Sequence, residues 1–495
     1  MRFGCLQRLA GLFGLAFYLL YPAGALASDE LDALSNLYSD GQYEQALPGL
    51  RKFAEQGNIR AQSMLCEAGL RGYGSPADPK PSTYCYEAVE QGGVHATGLL
   101  AEALLNSPNS TAENLSLGLE LARNGDENGG KLAAYVLGEA HFFGIGVPAD
   151  ASRAIHFYQR AESRGEPRAS RRLGFVTFYG IYGIPQNVNE GLALLKRASE
   201  GGVSDADYDL GLIYRSGQQG VPADLEAAEA YYIRGAQAGN RRAMYGLYEI
   251  YMGTPLKELP NTQEVALKAL QDSAEAGYPE AQYEYGRILW LGGPIAVDHQ
   301  AALAWLQEAS RQGHAKAQYF LGSIYMEKDM WNPAEAARAY TPLIRNHPDT
   351  DDALVAGSRM AGLILYERVP GTPEDAEALL RRAEASTSPH AVQSAASMRQ
   401  FIRENPPSRK GSGGNVVEDF LTLLILAALT EQPEKNSTDN SGNDASRWSA
   451  CDQIRQHCQT MCSSMHNQWE LEGSTGHWTC SNDCSNDMKS CTGEY

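Results

Sequence analysis

Cysteine is nearly absent from the first 450 residues of this 495-residue chain, which hold only Cys5, Cys66 and Cys85. The other six of its nine cysteines lie within the last 45 residues. A body with so few cysteines cannot depend on a dense disulfide framework, so apolar packing must hold it together. This asymmetry predicts a large, cysteine-poor body followed by a small tail stapled by disulfides.

An excess of positive charge is also lacking, since 41 lysines and arginines face 60 aspartates and glutamates, which gives a formal net charge of −19. Nucleic acid and anionic membrane surfaces are themselves negatively charged. The balance therefore argues against both as partners.

The common catalytic motifs are missing too. The chain contains no Gly-x-Ser-x-Gly, no His-Glu-x-x-His and no Gly-Lys-Ser/Thr loop, and its ten histidines are scattered without an evident triad. We therefore predict a protein that is not an enzyme and holds no cofactor. An enzyme acting on cell-envelope material stays the alternative, because an isolated pair of catalytic carboxylates has no sequence motif.

A long apolar run occurs at the N-terminus, where MRFGCLQR precedes LAGLFGLAFYLLYPAGALA. This pattern predicts a secretory signal peptide over residues 1–27, with cleavage after Ala27. Its removal takes away two arginines and one cysteine, leaving 468 residues, a formal charge of −21 and eight cysteines. We therefore expect an exported protein, periplasmic or secreted, with no transmembrane segment in the mature chain.

A small residue recurs along the body at intervals of 35 to 40 residues and opens each copy of an internal repeat. Five positions after each opener stands a second residue, which is Gly or Ala in seven of nine copies. A small residue at a fixed helical position lets another helix pack closely there. The openers are Ala61, Ala96, Ala133, Ala169, Ala206, Ala243, Ala281, Ala317 and the degenerate Gly357, and the second set is Cys66, Ala101, Gly138, Gly174, Gly211, Tyr248, Gly286, Gly322 and Gly362.

Each opener begins an apolar pattern with helical spacing, as in AQYFLGSIY at 317–325, and a glycine-containing turn follows it. A polar residue then precedes a second helix, whose free N–H groups its side chain can cap. That second helix ends at a glycine suited to a left-handed C-cap. The predicted N-caps are Asp78, Asp150, Asn187, Asp224 and Asp298.

The turn Gly144-Ile145-Gly146 superficially matches a phosphate-binding loop. A dinucleotide-binding loop needs a preceding strand and a further glycine three residues on, but position 149 is Ala149 and both flanks are helical in pattern. Gly144 and Gly146 are therefore predicted to be turn residues between two helices.

The combined pattern, A-x-Y-x-L-G-x-x-Y, a Gly-Val-x-x-Asp turn and A-x-x-x-Y-x-x-A-x-x-x-G, closely resembles the SEL-one-like repeat (SLR) family of the tetratricopeptide-like superfamily. The best copies are residues 206–239 and 281–313, and the resemblance covers residues 40–385. It weakens at Ala96, where the turn lacks paired glycines. It weakens again after Met330, where Pro333 and Pro373 begin helices without the usual loop.

The resemblance implies an all-α fold, a right-handed α-solenoid of antiparallel helix pairs. We assign about eight to nine such repeats to residues 28–405. The family's expected partners are proteins or peptides bound along the concave face. One helix pair cannot bury its apolar side alone, so neighbouring pairs must stack.

Five tyrosines recur at one position of the repeat, two residues after the opener. They serve either packing between repeats or contact with a ligand, and the sequence favours packing. They are Tyr135, Tyr208, Tyr245, Tyr283 and Tyr319.

A turn-rich basic stretch, PPSRKGSGGN at 406–415, ends the array and begins a flexible linker assigned to residues 406–446. Within it, an apolar helix is predicted at about 416–430, and its uninterrupted apolar core is too short to span a bilayer. It has three possible roles: docking on the solenoid, binding a partner or a second copy, and shallow membrane contact.

The tail at 447–495 reads CDQIRQHCQTMC, a spacer, then CSNDCSNDMKSC, so its cysteine spacing is a palindrome. Two antiparallel helices would place the cysteines of each half opposite one another. The predicted disulfides are Cys451–Cys491, Cys458–Cys484 and Cys462–Cys480. The tail resembles the twin Cys-x-x-x-Cys α-hairpins, with an additional outer pair.

A zinc site is the rival interpretation of the tail, because thiolate and imidazole ligands hold zinc and His457, His466 and His477 lie nearby. Zinc needs four ligands where six cysteines are available, so we favour disulfides and predict no metal site. A further disulfide is predicted between Cys66 and Cys85, one on each helix of the first clear unit. Cysteine-rich SLR proteins instead carry such bridges in every unit and at different positions, so their ligands and activities are not transferred to this chain.

These patterns favour a non-catalytic scaffold or adaptor in the periplasm or cell envelope. The resemblance implies partners in exopolysaccharide assembly or a regulated signalling protein. Besides the enzyme alternative, a eukaryotic secretory-lumen adaptor in protein quality control stays open. In that setting Asn109, Asn114 and Asn436 would be glycosylation acceptors.

The nested pairing can be tested with trypsin, since cleavage at Arg447, Arg455 and Lys489 separates the tail into WSACDQIR, a central peptide with four cysteines, and SCTGEY. In a non-reducing digest we expect WSACDQIR linked to SCTGEY, and a central peptide with no free thiol. Mass spectrometry after alkylation of free thiols gives the readout. A link from either outer peptide to the central one would refute the nesting, and six alkylated thiols with bound zinc would favour the metal site.

Overall fold

A computed structural model describes residues 23–74, 83–107, 110–253 and 262–406 of the chain. Most of the predicted signal peptide lies outside these residues, as do the apolar segment 416–430, the whole cysteine tail and the predicted cap Asp78. Those predictions stay untested by the structure.

The described residues are helical and contain no strand, which confirms the predicted all-α class. In chain order the helices are α1 (Ala23–Ser39), α2 (Tyr43–Glu55), α3 (Ile59–Arg71), α4 (Thr83–Glu90), α5 (Val94–Asn106), α6 (Ala112–Glu127), α7 (Lys131–Phe143), α8 (Ala151–Ser163), α9 (Pro167–Tyr179), α10 (Val188–Glu200), α11 (Ser204–Ser216), α12 (Leu225–Gln237), α13 (Arg241–Gly253), α14 (Thr262–Glu275), α15 (Pro279–Leu291), α16 (His299–Arg311), α17 (Ala315–Ile324), a 3-10 turn (Lys328–Met330), α18 (Pro333–Asn346), α19 (Asp351–Leu365), α20 (Pro373–Glu384) and α21 (Pro389–Glu404). Among these described helices, none combines the length and apolar character needed to cross a membrane.

The helices fall into two compact units divided between Ala198 and Ser199. Within each unit an odd-numbered helix packs against the even-numbered helix that follows, for example α7 with α8, α11 with α12 and α15 with α16. Short connections reverse the direction of the chain, so the two helices of each pair run antiparallel. Every unit is thus a stack of helix pairs, as the repeat pattern predicted.

The predicted caps are present at the turns. Gly144 ends α7 in the left-handed region at a φ of 73°, and Gly146 has a φ of 66°. Asp150 then accepts a hydrogen bond from the N–H of Arg153 at 2.9 Å and caps α8. These two glycines are therefore turn residues, as predicted. The same side-chain cap is made by Asn187, Asp224 and Asp298.

A glycine of the first helix receives a buried tyrosine of the second. A Cβ atom placed on Gly138 would lie 2.5 Å from ring carbons of Tyr158, and one on Gly211 would lie 2.5 Å from those of Tyr232. Gly322 and Tyr340 meet in the same way. These three tyrosines are almost fully buried. The recurring small residue therefore permits close packing within the pair.

The ends of the array depart from the central repeats. The pair α1 and α2 precedes the first opener and packs on α3 through Leu31, Leu50 and Leu65. Sequence reasoning assigned no separate pair there. At the other end, α18 and α20 begin at Pro333 and Pro373 as predicted, with side-chain caps from Asn332 and Thr372.

Cys66 on α3 and Cys85 on α4 form a disulfide, with their sulfur atoms 2.07 Å apart. Both side chains are completely buried. The bridge joins the two helices of that pair and encloses a connection that includes residues 75–82, which lie outside the described part of the chain.

The glycine contact predicts opposite effects for two alanine substitutions in the first unit. Gly138→Ala should destabilise the protein by about 1 to 3 kcal/mol, because the added methyl group overlaps the fixed ring of Tyr158. Gly69→Ala should raise stability by up to about 1 kcal/mol, because nothing lies within 4 Å of the added atom and alanine favours helix. Urea unfolding followed by circular dichroism gives both values. Equal effects of the two substitutions would show that helix propensity, and not the ring contact, governs this position.

Candidate functional site

One face of each unit brings successive repeats especially close. The odd-numbered helices pack against the next odd-numbered helix at α3 with α5, α5 with α7, α11 with α13, α17 with α19, and α19 with α21. Within the described ranges, successive even-numbered helices do not pack to a comparable extent. We call the side of each unit that the odd-numbered helices form the first-helix face. Packing between helices of successive repeats is therefore concentrated on this face at these places.

The recurring tyrosines lie on this face, and three of them lie beneath arginines of the next odd-numbered helix. The guanidinium of Arg168 lies 4.4 Å from the centre of the Tyr135 ring, and that of Arg242 lies 4.5 Å from the Tyr208 ring. Arg359 stands 5.2 Å from the Tyr319 ring in the same way. Cations over aromatic faces are attracted to them. These tyrosines therefore serve packing between repeats.

The other two tyrosines of the row contact aromatic rings instead. Tyr245 meets Tyr278 with ring centres 5.5 Å apart, and Tyr283 meets His314 at 5.0 Å. Burial raises the pKa of Tyr245, with a further contribution from Glu249 and other nearby carboxylates. The phenol is therefore a neutral group at physiological pH.

Carboxylates join the odd-numbered helices of the first unit. Glu102 on α5 accepts a hydrogen bond from Arg71 of α3 at 2.8 Å and another from Arg168 of α9 at 2.6 Å. Glu139 on α7 binds Arg172 of α9 through two bonds of 2.9 and 2.8 Å. Burial alone would lower the pKa of Arg172, but Glu139 raises it on balance. In each pair the hydrogen bonds fix the positions of both charged side chains, on a surface that is only partly exposed to solvent.

The second unit repeats the arrangement with other residues. Arg242 of α13 donates to Asp205 of α11 at 2.7 Å, and Arg215 of α11 pairs with Glu249 of α13. Burial raises the pKa of Glu249 even though Arg215 opposes the shift. Tyr248 donates its hydroxyl to Glu284 of α15 at 3.2 Å. The face is thus a mixed surface of paired charges and aromatic rings.

The ion-pairing role of the arginines on this face was not predicted from the sequence, although a recurring charged position indicates it. The residue just before the opener is charged or ionisable in most repeats, and its sign alternates in the second unit. The oppositely charged residues of successive repeats approach each other, as in Asp205 with Arg242 and Glu280 with Lys316 at 3.9 Å. The series is Arg60, His95, Arg168, Asp205, Arg242, Glu280 and Lys316.

A cleft of about 490 Å³ lies on this face in the first unit, between the end of α1, the start of α3 and the start of α5. A smaller cavity of about 50 Å³ lies beside Glu102, Tyr135 and Glu139. We call the larger recess the Glu67 cleft. Its walls include Tyr38, Ile59, Met64, Glu67, Val94 and His95.

Across the described ranges, no three His, Cys, Asp or Glu side chains are grouped so that they could hold a metal ion. Of the predicted disulfide cysteines, the structure places Cys66 and Cys85 inside the first unit, and the six tail cysteines lie outside the described residues with His457, His466 and His477. The face offers a ligand paired charges, aromatic surface and the Glu67 cleft.

Several solved structures are similar to this chain. A protective antigen of uropathogenic Escherichia coli with an SLR fold, c5321, is 21% identical over 85% of this chain and 82% of its own, with a TM-score of 0.43. A Sel1 repeat protein of Oxalobacter formigenes is 25% identical over 62% of this chain and 87% of its own, with a TM-score of 0.42. The immunity protein Pa5087 of Pseudomonas aeruginosa is 21% identical over 43% and 81%, with a TM-score of 0.32. No curated protein matches significantly.

The Sel1 repeat family matches six segments of the chain, residues 59–88, 131–166, 167–203, 204–240, 279–314 and 315–328. The matched segments that span a full repeat coincide with the helix pairs described above. Sel1-repeat proteins are generally scaffolds for protein interaction and are typically non-catalytic. The recurring openers, the capped turns and these matches together show that the chain contains Sel1 repeats.

Proposed function

We propose that this protein is an exported, non-catalytic scaffold that binds protein partners through its first-helix face in the periplasm or cell envelope. The N-terminal pattern of two arginines, an apolar run and small residues supports export. The Sel1 repeats support a role in protein interaction.

The observation that carries the proposal is the set of fixed charges on the first-helix face. Pairs such as Glu139 with Arg172 and Asp205 with Arg242 hold side chains of successive repeats in defined positions. Preorganised groups lose little conformational entropy when a partner binds. Part of each set stays accessible, since Asp205 is 44% exposed and Arg242 is 32% exposed. An extended partner can therefore make polar contacts with several successive repeats.

The partner classes we favour are components of envelope or exopolysaccharide assembly, or a signalling protein that the scaffold regulates. In this proposal the segment at 416–430 docks on this chain or on a second one, and the cysteine tail is an accessory. Neither is required for the first-helix face to bind.

Export gives the first prediction from this proposal. The mature protein purified from a bacterial envelope should begin at Ser28, because the signal peptide ends at Ala27. N-terminal sequencing provides the measurement, and a form starting at Met-Ser28 without the leader is the control that should stay in the cytoplasm. An intact N-terminus on the envelope form would contradict the predicted cleavage.

The binding face can be located with a photo-crosslinking amino acid, p-benzoylphenylalanine. At Lys316, which lies on α17 at the repeat position of Arg242, it should capture partner proteins from intact envelopes. At Ile233, which is 38% exposed on the even-numbered helix α12, it should capture few or none. Both sites lie in the second unit of the same chain, so export and folding are expected to affect the two crosslinking variants equally.

The same crosslinking in a chain truncated after Asn405 separates the face from the tail. Partners retained at position 316 would place recognition on the repeats. Their loss, with helicity unchanged by circular dichroism, would make the apolar segment or the tail the recognition element. Absence of any specific crosslink in the full-length chain would remove the support for a scaffold.

A further inference from the structure

A glutamate stands six residues after the opener in four repeats, and three of the four hold an arginine of this chain. Glu102 pairs with Arg71 and Arg168, Glu139 pairs with Arg172, and Glu249 pairs with Arg215. The fourth, Glu67, lies in the Glu67 cleft. It has no arginine within ion-pair distance among the described residues.

The contacts of Glu67 are long and leave one oxygen free. Tyr38 Oη and His95 Nε2 both lie 3.5 Å from Oε2, at the outer limit for a hydrogen bond. No described residue bonds to Oε1, and the side chain is 25% exposed. Burial acts to raise the pKa of Glu67, but His95 and Arg71 lower it on balance, so the carboxyl group is ionised at neutral pH.

The cationic side chains nearest the cleft are already engaged. Arg60, which lines the cleft, binds Asp32 at 2.6 Å. Arg71 binds Glu102 at 2.8 Å. A half-buried carboxylate with a free oxygen therefore faces an open recess of about 490 Å³.

The walls of the cleft are apolar beside this carboxylate. Ile59, Met64 and Val94 line it, and Ile59 is 37% exposed. A long cationic side chain has the matching character, because its methylene stem packs on apolar surface while its head group binds an anion. A guanidinium adds planar donors that suit a carboxylate.

We propose that the Glu67 cleft binds an arginine side chain of a partner polypeptide. The incoming arginine takes the place that an arginine of the chain itself fills at Glu102, Glu139 and Glu249. Its stem lies along Ile59, Met64 and Val94, and its guanidinium donates to the free oxygen of Glu67. The proposal rests on the proposed function, since it names the partner chemistry of one place on the first-helix face.

The test uses arrays of acetylated random octapeptides in which one position is fixed as Arg, Lys, Leu or Glu. The full mature protein should be retained most on the Arg arrays, less on Lys, and least on Glu. Glu67→Gln should weaken binding to the best Arg peptide about tenfold, since a charged hydrogen bond is lost. Fluorescence anisotropy with the labelled peptide gives the affinity.

The matched control is Glu55→Gln, which removes the same charge from an exposed position on α2 outside the cleft. It should leave the affinity within about twofold. A second variant, Ile59→Lys, places a cation at the rim of the cleft on a partly exposed residue and should compete with the arginine to the same extent as Glu67→Gln. Circular dichroism and unfolding curves establish that each variant is folded.

Equal binding by the wild type and both cleft variants would overturn the proposal, as would the lack of any preference for Arg over Leu. Equal losses in Glu67→Gln and Glu55→Gln would also overturn it, because binding would then follow net charge alone. If partners still crosslink at position 316 in these cases, the scaffold function survives and the arginine site does not.

Discussion

The close approach between a small residue of the first helix and a large side chain of the second is the contact on which the repeat depends. At Gly138, Gly211 and Gly322 the ring occupies the space that a methyl group would need. The ring fills the interior of the pair, and its burial contributes more apolar area than any aliphatic side chain at that site could.

Charge on the first-helix face is arranged by position in the repeat. The residue just before the opener and the residue six positions after it point to the same surface, and they carry most of the ion pairs between neighbouring odd-numbered helices. A pair such as Asp205 with Arg242 contributes little free energy where it is solvated. Its larger effect is to fix donors and acceptors in space. A repeat protein can thus vary recognition by changing two positions per copy while its core stays constant.

Much of the fold could be predicted from the sequence because its signals are local. The openers, the caps at Asp150 and Asp224, and the left-handed glycines each act within one turn of a helix. The pair α1 and α2 was missed because it lacks the small opener, and its place is set by packing on α3. The bond between Glu102 and Arg168 joins residues 66 apart and skips a repeat, which no short-range pattern encodes. The Glu67 cleft could not be predicted from the sequence either, because its free carboxylate oxygen depends on which arginines form ion pairs elsewhere.

The two bonds of Glu102 have a mechanical consequence. A stack of helix pairs bends through small rotations that are distributed over its interfaces. Arg71 and Arg168 hold one carboxylate from α3 and α9, so the bonds of Glu102 span the interfaces from α3 to α9. Bending that moves α3 away from α9 on the first-helix face lengthens this chain of bonds, so it couples the interfaces between them. The two ion pairs therefore oppose the separation of α3 from α9 on the first-helix face and do not oppose their closer approach.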